Sequence, residues 1–156
     1  MGNRISVLSR AVAAAGDYAA ADIVSNSATA DAGTAWTFPN TGRQGVIYDA
    51  VCSCSEDSVV WRLRLHLFTK TPTTSEMDDN AAKAFTEVDR ANLLGYIDFQ
   101  AAGDQGAYSV AGGSALNKGY FAPSGQLFGV LETLDAETGE TAGMSIEFKL
   151  FIRQDN

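Results

Sequence analysis

Any chemistry in this chain would have to run through few side chains. His66 is the single histidine, and histidine is the residue most often used for general acid–base work. It alternates with Arg62 and Arg64 rather than with a nucleophile or a carboxylate, which is the pattern of one polar strand face. A Ser–His–Asp relay would need His66, yet no Gly-x-Ser-x-Gly elbow exists, and Gly112-Gly113-Ser114 lacks the framing. The phosphate-cradling Walker loop and the Gly-x-Gly-x-x-Gly fingerprint are both missing. Cys52 and Cys54 stand two apart, so on a strand they share a face, and a bridge between them would close a strained ring. With one histidine they do not complete the four-ligand set of a zinc site. Asp78, Asp79 and Asn80 offer oxygen donors, but their spacing does not match a calcium loop and suits a helix cap or a solvated turn. Trp36, Tyr48, Tyr96, Tyr108 and Tyr120 could supply a sugar-stacking platform, or they could pack in the core and turns. No catalytic residue, metal or cofactor is therefore expected, and the chain reads as a non-enzyme.

The bulk properties narrow the partners. The net charge of −8, with 11 Lys and Arg against 19 Asp and Glu, leaves too few cations to neutralise a phosphate backbone, so direct contact with nucleic acid is not expected. An anionic membrane surface is disfavoured for the same reason. No apolar run reaches the roughly 20 residues of a spanning helix, and Arg10 interrupts the N-terminal run before it has signal-peptide length. An acidic surface keeps a protein soluble at high local concentration.

The elements that must position these side chains read as strands. At 156 residues, 46% hydrophobic and 19% charged, the chain suits one domain with one core. Its 15 glycines and 3 prolines among short apolar runs indicate many turns. Residues 59–68 show the clearest alternation: Trp61, Leu63, Leu65 and Leu67 on one face, Arg62, Arg64 and His66 on the other. Residues 35–38, 45–53, 93–99, 118–122, 126–133 and 144–152 carry further strand patterns, with a weak one around Tyr108 and Val110 and a Thr138-Gly139 turn before the last. Residues 81–89 could form one short helix capped by Asn80. About eight strands with short loops imply an all-β fold, a two-sheet β-sandwich of jelly-roll type or a barrel. Residues 1–16 read as an extended N-terminal arm and residues 17–156 as the single β domain.

Several segments in order carry a resemblance. They are Asp17-Tyr18-Ala19-Ala20-Ala21-Asp22-Ile23-Val24-Ser25, Trp36-Thr37-Phe38-Pro39-Asn40, Gly45-Val46-Ile47, Leu63-Arg64-Leu65-His66-Leu67-Phe68, Thr71-Pro72-Thr73, Asp79-Asn80-Ala81-Ala82 with Phe85, and Leu94-Gly95-Tyr96-Ile97. Over roughly residues 17–152 the chain resembles the capsid decoration, or cement, proteins encoded in the head modules of tailed bacteriophages and prophages. The resemblance implies a β-sandwich or jelly-roll protein, often a homotrimer, made in the bacterial cytoplasm and seated on the outer face of the virion, where it clamps adjacent major capsid subunits. Its partners would be other copies of itself and the major capsid protein. Another virion part (a tail tube, head-completion or fibre component) and a lectin-like carbohydrate-binding module are the alternatives. Two surfaces are expected to make the contacts: the arm, through Ile5, Val7, Leu8 and Val12, ordering on the shell or a sister subunit, and the polar strand face of Arg62, Arg64 and His66, meeting acidic groups of a partner.

Overall fold

The structure, a computed structural model, describes residues 2–57, 61–73, 75–114, 116–138 and 141–154. It is nearly all β. The strands are β1 (Gly2–Ala11), β2 (Ile23–Val24), β3 (Trp36–Phe38), β4 (Gln44–Cys54), β5 (Leu63–Phe68), β6 (Leu93–Phe99), β7 (Gly103–Asp104), β8 (Ser109–Ser114), β9 (Lys118–Phe121), β10 (Leu127–Thr133) and β11 (Ser145–Gln154), and one turn of helix, α1 (Glu87–Arg90), precedes β6. Val59, in the run expected to open β5, and Gly139, in the expected turn before β11, lie outside the described residues.

All ladders are antiparallel, in the order β1-β11-β4-β8-β6-β5-β10-β2, with β3 on β10, β7 on β8 and β9 on β4. The sheet curls at β8. Its residues Ser109 to Gly112 pair with β4, whereas Gly113 and Ser114 pair with β6. Gly113 is the residue that permits the corner, because a Cβ there would lie 2.9 Å from Ile97 and 3.1 Å from Ala50.

The curl brings β11 opposite β3 and β6 around one core. Phe148 is its hub, with ring centroids 5.2 Å from Trp36, 6.1 Å from Phe38 and 5.3 Å from Phe99. The period-2 alternation of β11 explains the placement: Ile146, Phe148, Leu150 and Ile152 are fully buried, and the residues between them are not. In β5 the alternation is also kept, with Leu63, Leu65 and Leu67 inward.

Two expectations are corrected. Residues 2–11 are not a free arm: they form β1, paired with β11 from Gly2↔Gln154 to Ala11↔Ser145. The inward face of β1 carries Ser6, Leu8 and Arg10, and those groups tie it to the chain around β3. Ser6 Oγ donates to the Pro39 carbonyl at 2.5 Å. The Arg10 guanidinium donates to the Thr34 and Ala35 carbonyls at 2.8 and 3.1 Å and lies 4.7 Å over the Trp36 ring. Burial pushes the Arg10 pKa down to about 10. The helix, too, is displaced from residues 81–89. It spans only Glu87–Arg90 after Thr86, and Asn80 holds a left-handed φ of 59°, so it turns the chain instead of capping it.

Candidate protein interface

The Arg62, Arg64 and His66 face is satisfied from within. Arg62 sets its guanidinium on Asp135, Nη2 to Oδ1 at 2.6 Å and Nε to Oδ2 at 3.1 Å. Arg64 makes a forked pair with Asp98, Nε to Oδ1 at 2.6 Å and Nη2 to Oδ2 at 2.9 Å, and stacks 4.0 Å over the Tyr96 ring. The hydrogen bond that Arg64 donates to Asp98 raises the Arg64 pKa, and the one that Arg62 donates to Asp135 raises that of Arg62. The same bond from Arg62 holds the Asp135 carboxyl below its ordinary value.

His66 is buried at 6% exposure. Its Nε2 lies 3.1 Å from Oε1 of Glu132, itself 1% exposed, and Lys83 Nζ lies 2.5 Å from Oε2 of the same carboxylate. Burial alone would push the Glu132 carboxyl up, but the neighbouring His66 imidazole and Lys83 ammonium outweigh it and hold the pKa below the usual glutamate value. The 70–92 segment thus folds back over the outside of β5 and β10. It brings Lys83 to the carboxylate and Phe85 edge-on to His66 at 4.6 Å. Met77 and Phe85 then cover a second apolar cluster of Ile23, Phe68, Phe128 and Val130. On this half of the curled sheet the chain itself covers the outer face of β5 and β10.

The other half is bare. The outer face of β1, β11, β4 and β9 carries Ile5 at 54%, Val7 at 44% and Phe121 at 62% exposure, with Tyr48 also exposed. Cross-strand register makes neighbours of those on β1, β11 and β4, with Phe121 at the β9 margin opposite Gln44. Ile5 pairs with Phe151 and Val7 with Lys149, which in turn pairs with Val51. The Tyr48 ring lies 6.3 Å from that of Phe151, and Val46 pairs with Gly119 two residues before Phe121. Of the four N-terminal residues expected to make contact, only Ile5 and Val7 are on this face. Leu8 packs against the core and Val12 is buried within it. Phe121 and Phe151 are the part the sequence did not single out, and Tyr48 was considered only as a sugar-stacking ring. The available signal was Phe151 alone among Ser145, Glu147 and Lys149 on the solvent side of β11.

The remaining chemistry-bearing groups serve the fold. Asp79 accepts hydrogen bonds from Ala15 N, Tyr18 Oη and Ser25 N at 3.0, 2.8 and 2.7 Å. Asp78 accepts from Asp31 N and Gly33 N, both at 2.7 Å. Among the described residues no group of three or more His, Cys, Asp or Glu side chains is arranged to hold a metal ion. Cys52 and Cys54 are buried free thiols on the inner face of β4, and burial raises the pKa of both. Of the five aromatics considered as a sugar platform, Trp36 and Tyr120 are buried. Tyr96 lies between Arg64 and Lys118 and Tyr48 beside Phe151, while Tyr108 is exposed. Comparison with protein-family models, curated proteins and solved structures finds no match.

Proposed function

We propose that this chain is a non-enzymatic structural protein of a tailed-phage virion that decorates the outer capsid surface, clamping adjacent major capsid subunits as a homotrimer. The observation that carries the reading is the bare apolar face of β1, β11, β4 and β9. Exposed aromatic and branched side chains in one contiguous patch are the usual mark of a protein-binding surface. Apart from Phe121 on β9, they sit on the three longest strands, of 10, 11 and 10 residues, a rigid slab about 30 Å long at 3.3 Å per residue. The sequence resemblance supplies the identity of the partner. The net charge of −8 suits a coat component held at high local concentration. The finer architecture in this reading is a two-sheet sandwich of jelly-roll kind, with β8 as the strand shared between the two sheets.

Preformed phage heads lacking the protein test it. Purified chain is added, free protein is removed by sedimentation, and bound copies are counted. The intact chain is expected to saturate the shell at a fixed ratio, and Val7→Asp with Phe121→Asp to abolish binding while leaving the thermal melt unchanged. Absence of binding by the intact chain, or full occupancy by the double variant, overturns the proposal. Light scattering on the isolated chain tests the trimer separately.

A further inference from the structure

One row beyond the apolar patch, the surface changes character. Ser9, Glu147 and Ser53 form a cross-strand row on β1, β11 and β4. With Cys54, Ser55, Ser145 and Tyr108 they line a cleft of about 200 Å³. Tyr108 is the wall. It is 48% exposed, and the β7–β8 turn that presents it is closed by Gln105 N donating to the Tyr108 carbonyl at 2.8 Å.

The floor offers hydrogen-bonding groups with capacity to spare. The hydroxyls of Ser9, Ser53 and Ser145 make no hydrogen bond to any described residue. The Ser55 hydroxyl accepts from Ser145 N at 2.9 Å. Glu147 is held by Lys149 at 3.3 Å, which leaves carboxylate lone pairs free on a half-exposed side chain.

We propose that this cleft is a saccharide subsite that takes a single pyranose ring. A sugar presents two chemistries at once: a patch of C–H groups on one face and vicinal hydroxyls around the rim. The electron-rich face of Tyr108 suits the first. Glu147 as paired acceptor, with serine hydroxyls that both donate and accept, suits the second. The volume falls below the range of roughly 300–1,000 Å³ typical of drug-sized ligand pockets, which limits the occupant to one ring with its neighbours in solvent. The carboxylate disfavours phosphates and other anions, and the hydroxyl floor disfavours a hydrophobic guest. Among the exposed tyrosines, Tyr108 alone has this polar floor. The site adjoins the apolar face proposed to meet the capsid but shares none of its exposed apolar residues, so either can fail without the other.

Titration of the full chain with glucose, galactose and N-acetylglucosamine, followed by amide chemical shifts, tests the proposal. At least one sugar is expected to bind saturably with a Kd on the order of millimolar, the weak end of specific affinity, shifting residues around Ser53, Tyr108 and Glu147. Tyr108→Ala and Glu147→Gln are each expected to weaken it about tenfold or more, a loss the size of one stacking or charge-assisted contact. Tyr108→Phe keeps the stacking ring and should retain binding, and Tyr48→Ala should leave it untouched. The three side chains altered all reach solvent, so a thermal melt matching the parent confirms that each variant is folded. The proposal is overturned if none of the three sugars binds, or if binding survives both Tyr108→Ala and Glu147→Gln.

Discussion

His66 and Glu132 are diagonal neighbours across the β5–β10 ladder, His66 opposite Val130 and Glu132 opposite Arg64, and their side chains meet at 3.1 Å under the cover of Phe85. A buried carboxylate is tolerated only when its charge is compensated. Lys83 completes the compensation from the 70–92 segment, so the ion cluster is also the clasp that holds this segment on the sheet.

Glu132→Gln should therefore destabilise the protein. Breaking a buried pair costs about 3–5 kcal/mol. Lys83 and Arg64 retain partial access to water, which brings the expected loss to the bottom of that range or just below it, about 2–3 kcal/mol by denaturant melt. The effect should depend on pH. The native carboxyl of Glu132 has a lowered pKa, so the unfolded chain binds more protons there and stability rises with pH. The contribution is fully present above the ordinary glutamate value of about 4.3 and is lost as pH falls through the depressed native value. The gap between parent and variant should shrink on acidification from pH 6 toward that native value. A gap independent of pH would disprove the assignment.

Asp79→Ala should be as costly for a different reason. Its oxygens accept two backbone N–H groups and the Tyr18 hydroxyl, and the residue is buried. Truncation strands those donors away from water, at about 1–3 kcal/mol for each group left unsatisfied. Calcium should not alter the melt of the parent, since these carboxylate oxygens are already engaged. Stabilisation by millimolar calcium would contradict the structural role.

The thiols provide a check on the inner face of β4. Burial raises the pKa of Cys52 and Cys54, and the thiolate is the reactive form. Neither should react with Ellman's reagent in the native protein, and both should react at once in guanidinium chloride. Fast native labelling would mean that β4 does not face the core as described.

The legible parts of this fold were those in which alternation had one solution. In β5 and β11 the apolar side chains recur every second residue, and a one-residue slip would expose them all, so the pattern alone fixed which face is buried. What alternation cannot show is what covers the outer face. Arg62, Arg64 and His66 read as a solvated or partner-facing row, yet their partners Asp135, Asp98 and Glu132 come from the turn after β10, from β6 and from β10, far along the chain. His66 is further buried by Phe85, from a segment that reads as loop and helix. The N-terminal run was misjudged similarly. Small residues and two arginines suggest an arm, but Ser6 and Arg10 find carbonyl partners around β3 that no local window contains. The bare face was half legible, through Ile5 and Val7, because its other members become neighbours only by cross-strand register.

Gly129→Ala tests the packing of β3 against β10. A methyl group at this position would lie 2.7 Å from Leu65 Cδ1, 3.1 Å from Phe38 Cε2 and 3.4 Å from Trp36 Cβ, all belonging to buried side chains. Core density leaves no room for it, so rotamers or strands must shift, and overpacking of this kind costs about 1–3 kcal/mol. Gly119→Ala is the matched control. It adds the same methyl to β9, where a Cβ would meet nothing within 4 Å, and glycine is already a weak strand residue. Chemical denaturation should show Gly129→Ala losing stability in that range while Gly119→Ala stays level with the parent or gains slightly. Equal stability of the two variants would mean that Trp36 and Phe38 do not close over β10.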